Sequence, residues 1–61
     1  MPLITVKALE GRTIEQKRGL VKDITEAVVK HFGAKPESVT IDIIDYSKEN
    51  FAQAGQLFLD R

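Results

Sequence analysis

The chain has no cysteine, no tryptophan and one histidine, His31, among its 61 residues. The lack of cysteine excludes disulfides and thiolate metal sites, and a single histidine argues against a histidine-rich metal site. Small domains usually rely on such cross-links or on oligomerisation, because a chain of about 60 residues buries only about 60% of the surface of its unfolded form. We therefore expect a homo-oligomer with no bound metal.

The chain also lacks an excess of charge, since nine basic and nine acidic residues give a formal net charge of zero at pH 7. Lys17, Arg18 and Lys22 are interleaved with acidic residues, as on a solvated helix face, and do not indicate a nucleic-acid surface. No apolar run approaches the roughly 20 residues of a membrane span, and the amino end does not resemble a signal peptide. We expect a cytoplasmic protein without nucleic-acid or membrane partners.

Local patterns predict a strand followed by a long helix. Leu3–Leu9 is rich in β-branched residues and roughly alternates, with Lys7 on its polar face. Thr13 and Gln16 form a capping-box pattern before a helix at Ile14–Phe32, and Gly33 suits the residue that ends it. The apolar stripe of this helix consists of Leu20, Val21, Ile24, Ala27, Val28 and Phe32.

A second strand is predicted at Val39–Ile44, after a turn at residues 36–38. Strand, helix and strand in this order give a parallel pair joined by a right-handed crossover. We therefore expect one α/β domain over residues 1–61, a β-α-β protomer with a short C-terminal β-hairpin or tail. Leu3, Ile44 and the apolar residues of the tail would stay exposed in a monomer, which again favours oligomerisation.

Few residues of the chain offer reactive side chains. His31, near the helix end, fits an interaction with the terminal carbonyls, with a catalytic role as the alternative. Asp42 and Asp45 lie three residues apart on a strand and therefore face opposite sides, which makes them a poor acid–base pair.

Pro2 follows the initiator methionine, which is commonly removed before a small residue. Loss of Met1 would leave a secondary amine, and burial or a nearby cation would lower its pKa so that it could accept a proton. With Met1 attached, the same nitrogen is an amide without useful basicity. The alternative is a proline that simply starts an edge strand.

Arg12 follows Gly11 at the predicted strand-to-helix turn. Its planar guanidinium suits a carboxylate ligand. The alternative is a surface ion pair with Glu10 or Glu15.

These features together resemble one known family. The chain is similar to the 4-oxalocrotonate tautomerase family in Pro2, in the segment LEGRTIEQK (residues 9–17), in Ala27 and in Phe51 followed by Gly55. The resemblance covers essentially the whole chain, and its most specific elements are the proline after methionine and the EGR turn at this distance from it.

The resemblance implies a tautomerase that uses neither metal nor cofactor. Members are β-α-β protomers that assemble as dimers, commonly three dimers in a hexamer, and move a proton between the enol oxygen and a carbon of a 2-hydroxydienoate. Pro2 would be the general base, and Arg12, from a neighbouring subunit, would hold a substrate carboxylate. Phe51 would form part of the apolar wall around the amine.

Thr40 is a departure from the family pattern, because founding members carry a second arginine at this position. Loss of that charged hydrogen bond would cost about 1.5–3 kcal/mol. Lys48 and Tyr46 are candidate substitutes. Two other functions remain alternatives, namely a non-catalytic oligomeric binding or scaffold protein and a haloacrylate hydratase or dehalogenase.

Overall fold

A computed structural model describes all 61 residues and shows a strand, a helix and a second strand in that order. Strand β1 spans Leu3–Leu9, helix α1 spans Ile14–Phe32 and strand β2 spans Thr40–Tyr46. The two strands pair in parallel, with Leu3 opposite Thr40 and Leu9 opposite Tyr46. The predicted α/β fold is confirmed, and β1 and α1 have the predicted bounds.

Strand β2 differs from the predicted Val39–Ile44 at both ends. Val39 stays outside the strand because its N–H donates to the Pro36 carbonyl (3.1 Å), which closes a turn of 3-10 helix. Tyr46 belongs to the strand, since its carbonyl accepts from the Glu10 N–H (2.8 Å) and keeps the ladder paired to its end. Both ends of β2 are therefore set by backbone hydrogen bonds, which the alternation of hydrophobic residues does not predict.

Both ends of α1 have the predicted caps. The Thr13 hydroxyl accepts from the Gln16 N–H (3.1 Å), and the Gln16 side chain accepts from the Thr13 N–H (2.9 Å). Each bond satisfies a backbone donor that the first helical turn leaves unpaired. Gly33, at φ 69°, ends the helix with its N–H donating to the Val29 carbonyl (3.1 Å).

The helix packs on one face of the two-stranded sheet. The half-buried sheet residues on this face are Ile4, Val6, Ala8, Ile41 and Ile43. From the predicted helical stripe, Val21, Ile24 and Val28 are half-buried against them, whereas Leu20 is 42% and Phe32 is 74% exposed. Two strands are too narrow to cover the full width of the stripe, so its margins stay in solvent.

The protomer has no closed core, because none of its 61 residues is buried. Its accessible surface is 4851 Å², against about 3,950 Å² for a compact monomer of this mass. Its radius of gyration is 14.8 Å, against about 10.5 Å for a compact chain of this length. The isolated protomer is therefore elongated and unusually exposed.

The C-terminal residues form the short hairpin that was one of the two predicted arrangements. Strand β3 (Ala52–Gln53) pairs antiparallel with β4 (Gln56–Leu57). Ala54 and Gly55 between them have φ of 54° and 78°, the sign that a two-residue hairpin turn requires at both positions. Turns of 3-10 helix flank the hairpin at Lys48–Asn50 and Phe58–Asp60. The structure contains no helix with the length and apolar character needed to cross a membrane.

Replacement of Thr13 by alanine tests the cap of α1. We expect Thr13→Ala to lower the free energy of unfolding by about 1 kcal/mol, because one backbone donor of the first turn loses its acceptor. Urea unfolding followed by circular dichroism, at one fixed protein concentration, measures the change. Thr13→Ser keeps the hydroxyl and is the control. Equal stability of Thr13→Ala and the native chain would contradict the role of the cap.

Candidate active site

The protomer has one cavity, of about 350 Å³, at the carboxyl end of the parallel strand pair. Its volume lies at the lower end of the range of roughly 300–1,000 Å³ that is usual for small-molecule sites. The residues that line it are Lys7, Ala8, Leu9, Tyr46 and Phe51. Four of these five residues are hydrophobic and none is acidic, so the cavity suits an apolar ligand that carries negative charge.

Phe51 is held in this cavity by other aromatic residues. Its ring centre lies 6.1 Å from that of Tyr46 and 4.9 Å from that of Phe58, the second pair being edge to face. Its carbonyl accepts from the Phe58 N–H (2.9 Å), and the Arg61 guanidinium covers the Phe58 ring at 4.4 Å from the ring centre. Phe51 still exposes 39% of its surface, so part of its ring is open to a ligand.

Arg12 lies near the same end of the strand pair. Gly11 before it has φ 122°, a conformation that favours glycine, and turns the chain from β1 toward α1. The Arg12 Nη1 donates to the Leu9 carbonyl at 3.5 Å, the outer limit for such a bond. This weak contact places the Arg12 guanidinium near the carboxyl end of β1, where Leu9 lines the cavity, but Arg12 itself is not one of the lining residues.

The two carboxylates considered as partners of Arg12 are engaged elsewhere. Glu15 pairs with Arg18 on the surface of α1. Glu10 accepts from the backbone N–H of Lys48 at 3.4 Å. Arg12 forms no ion pair in the protomer, which leaves its guanidinium available to an anionic ligand.

Pro2 lies at the opposite end of β1. Its carbonyl accepts from the Thr40 N–H (3.0 Å), and the residue is half-buried. Leu9 is the seventh residue after Pro2, which at about 3.3 Å per residue amounts to about 23 Å along the strand. A single protomer therefore places Phe51 in the cavity and Arg12 near the same end of β1, but it leaves Pro2 far from both.

Thr40 lies beside Pro2, opposite Leu3 in the strand register. Its hydroxyl makes no hydrogen bond within the protomer. Tyr46 lines the cavity at the other end of β2, and Lys48 follows in the next turn. Neither proposed substitute therefore occupies the surroundings of Thr40 in the same protomer.

The two aspartates of β2 face opposite sides, as predicted. Asp42 accepts from the Thr5 hydroxyl (2.7 Å) on the side away from the helix. Asp45 pairs with Lys17 of α1 (2.6 Å). Both have structural partners, so they form no acid–base pair.

His31 lies in the last turn of α1 and is exposed. The predicted contact with the terminal carbonyls is absent, because its ring makes no hydrogen bond. The Gly33 N–H, rather than the imidazole, satisfies one of these carbonyls.

Sequence reasoning overlooked Lys7 as a site residue and treated it only as a polar position of β1. Alternation along the strand places Lys7 and Leu9 on the same face, and the register places Leu9 opposite Tyr46. Alignment of the two strands would therefore have placed Lys7 on the same face as Leu9 and Tyr46. The C-terminal tail supplies the remaining lining residue, Phe51.

Comparisons with known proteins agree with this fold. Residues 2–61 match the family model described as "Tautomerase enzyme". The 2-hydroxymuconate tautomerase of Bacillus subtilis strain 168 is 48% identical over 60 residues, which are 98% of this chain and 97% of that protein. A probable tautomerase of Halalkalibacterium halodurans is 43% identical over the full length of both chains.

Solved structures show the same architecture. A 4-oxalocrotonate tautomerase isozyme from Methylibium petroleiphilum matches with a TM-score of 0.89 and 46% identity, covering 97% of this chain and 92% of the other. A further 4-oxalocrotonate tautomerase homologue matches with a TM-score of 0.97 and 34% identity, and the match covers 100% of this chain and 97% of the other. By family model, relatives and fold, the chain is an isomerase that belongs to the tautomerase family.

Proposed function

We propose that the chain is a cofactor-independent enol–keto tautomerase that acts on a 2-hydroxydienoate or a related enol acid. Pro2, freed by removal of Met1, is its general base. The observation that carries this proposal is the cavity formed by Leu9, Tyr46 and Phe51, with the unpaired Arg12 beside it. This cavity offers an apolar wall, with a cation nearby, to an unsaturated acid. The chain also has a relative, the 2-hydroxymuconate tautomerase of Bacillus subtilis, that is named for such a substrate.

The distance between Pro2 and Arg12 requires that the site be shared between copies. A two-fold axis relates two copies so that their β1 strands run antiparallel, which brings the amino end of one strand beside the carboxyl end of the other. The sheet has only two strands, so each has a free edge for such a contact. Pro2 of one copy thereby reaches the Arg12 and Phe51 of its neighbour.

The exposed apolar surface supports a larger assembly, and we infer three such dimers in a hexamer. On the sheet face away from α1, Leu3 is 73% and Ile44 is 39% exposed. Leu59, in the C-terminal tail, is 59% exposed. Large apolar side chains exposed in this way are typical of a subunit interface.

The reaction in this site is a proton transfer. Arg12 binds a substrate carboxylate through its paired N–H donors and orients the dienol against Pro2. The neutral amine of Pro2 accepts the proton of the 2-hydroxyl group and returns it to a carbon of the chain. An O–H bond is broken and a C–H bond is formed as the double bonds shift, with no net change in oxidation state.

The surroundings keep the Pro2 amine neutral. Phe51 and Leu9 supply apolar surface, which disfavours a charged amine and lowers its pKa. The positive charge of Arg12 acts in the same direction. Hydration of haloacrylates, the hydrolytic alternative, needs an acidic group to activate water, and no acidic residue lines the cavity.

The assembly itself can be measured. Six chains of 6.8 kDa give about 41 kDa, and we expect sedimentation equilibrium to report this mass for the native protein. Ile44→Asp should dissociate the assembly, because it replaces an exposed apolar side chain of the uncovered sheet face by a carboxylate. Lys22→Asp, on the exposed side of α1, is the control and should keep the mass. A native chain that sediments as a 6.8 kDa monomer would refute the shared site.

Two forms of the same chain test Pro2 as the base. Protein without Met1 has an amine at Pro2, and protein with Met1 retained has an amide, which cannot accept the proton. We expect the Met1-free form to convert 2-hydroxymuconate or phenylenolpyruvate with a kcat/KM at least about 100-fold higher, the usual size of general-base catalysis. Intact mass identifies each form, and ultraviolet absorbance follows the enol.

The variant Pro2→Ala, also without Met1, replaces the ring amine by a freely rotating primary amine and should lower kcat. Equal rates in all three proteins would exclude the nitrogen of Pro2 from the reaction.

Replacement of Arg12 tests the carboxylate contact. We expect Arg12→Ala to lower kcat/KM about ten- to hundredfold, mainly through a higher KM, because a charge-assisted hydrogen bond to substrate is lost. Arg12→Lys should retain only part of the native kcat/KM, since lysine lacks the planar guanidinium of arginine. Arg18→Ala removes an exposed arginine of α1 and is the matched control. Unchanged kcat and KM in Arg12→Ala would disprove the contact.

A further inference from the structure

Lys7 is the only charged residue among the five that line the cavity. It follows the half-buried Val6 on β1, and it lies on the face of the sheet that α1 does not cover. Its position two residues before Leu9 places both side chains on this face, with Cα atoms about 6.6 Å apart. Lys7 therefore belongs to the strand that also supplies Ala8 and Leu9 to the lining of the cavity.

The charge of Lys7 has no partner in the protomer. The residue opposite it in the register is Ile44. Asp42, the acidic residue of β2 on the same face, accepts from the Thr5 hydroxyl instead (2.7 Å), and Asp45 pairs with Lys17 on the helix side. Lys7 is exposed, so its unpaired ammonium is accessible at the cavity and attracts an anionic group by charge.

Lys7 and Arg12 together give this end of the strand pair two unpaired cations. The acidic residues nearest in sequence to Arg12 are bound elsewhere, and no carboxylate lines the cavity. Two cations around an apolar space are complementary to a ligand with two carboxylates and an apolar middle.

We propose that Lys7 determines specificity for dicarboxylic enol acids by binding the second carboxylate while Arg12 binds the first. This inference rests on the proposed function, because it concerns the substrate of the same site. It also accounts for Thr40: the cation that is missing beside Pro2 is supplied by Lys7 from the strand that forms the cavity. Tyr46 and Phe51 flank the unsaturated carbons between the two charges.

Binding of unreactive acids tests Lys7 without any turnover. Adipate has two carboxylates and hexanoate has one on a chain of the same length, and the dissociation constant of each is measured by NMR titration of the Met1-free native protein. We expect adipate to bind at least about tenfold more tightly than hexanoate, the effect of one charge-assisted hydrogen bond. Similar affinities for the two acids would overturn the proposal.

Variants assign the difference to Lys7. Lys7→Met replaces the charged side chain by an apolar one, and Lys7→Gln replaces it by a neutral polar one. Both variants should bind adipate about as weakly as hexanoate. Lys7→Arg keeps a cation and should retain the preference, as should the matched control Lys22→Met on the exposed side of α1. Preference for adipate in assembled Lys7→Met or Lys7→Gln would overturn the proposal, and sedimentation confirms the assembly of each variant.

Kinetics separates this inference from the proposed function. In Lys7→Met we expect kcat/KM to fall about ten- to hundredfold more for the diacid 2-hydroxymuconate than for the monoacid phenylenolpyruvate, mainly through KM, because only the diacid loses a charge-assisted hydrogen bond. Equal losses on both substrates would overturn the role of Lys7 while Pro2-dependent turnover still stands. If the native protein converts neither substrate, the proposed function fails, and the adipate measurement still decides whether Lys7 binds a second carboxylate.

Discussion

The parallel pairing of β1 with β2, with α1 across one face, leaves every residue of the protomer at least partly open to solvent. Hydrophobic burial is the main favourable term in folding, and it increases with the surface that a chain can enclose. A single layer of two strands under one helix encloses too little for a core. We therefore expect neighbouring copies to contribute to the stability of the fold, and the proposed site needs such copies to bring Pro2 and Arg12 together.

The register of the two strands also controls the chemistry. Parallel strands send their amino ends to one edge and their carboxyl ends to the other, so Pro2 and Arg12 lie at opposite ends of β1. A small enol acid does not bridge such a distance. The base and the cation that orients the substrate meet only between copies, so catalysis in the proposed mechanism depends on subunit contacts as directly as stability does.

Local features of the fold were predictable because they depend on residues close together in the sequence. Thr13 with Gln16 marked the start of α1, Gly33 marked its end, and alternation gave the helix-facing side of β1. Contacts between distant residues were not predictable in this way. The end of β2 at Tyr46 depends on a bond from Glu10, and the freedom of Arg12 depends on where Glu15 finds its partner. The cavity position of Lys7 required the register of both strands and the path of the tail.

The separation of Pro2 from Arg12 along β1 has a consequence for mixed assemblies. In the proposed dimer, each site takes its amine from one chain and its guanidinium from the other. When a chain without a functional Pro2 pairs with a chain without Arg12, one of the two sites contains both defects and the other contains neither. Two impaired proteins would then regain activity when their subunits are exchanged, so that alleles of this small protein with defects in Pro2 and in Arg12 would complement each other.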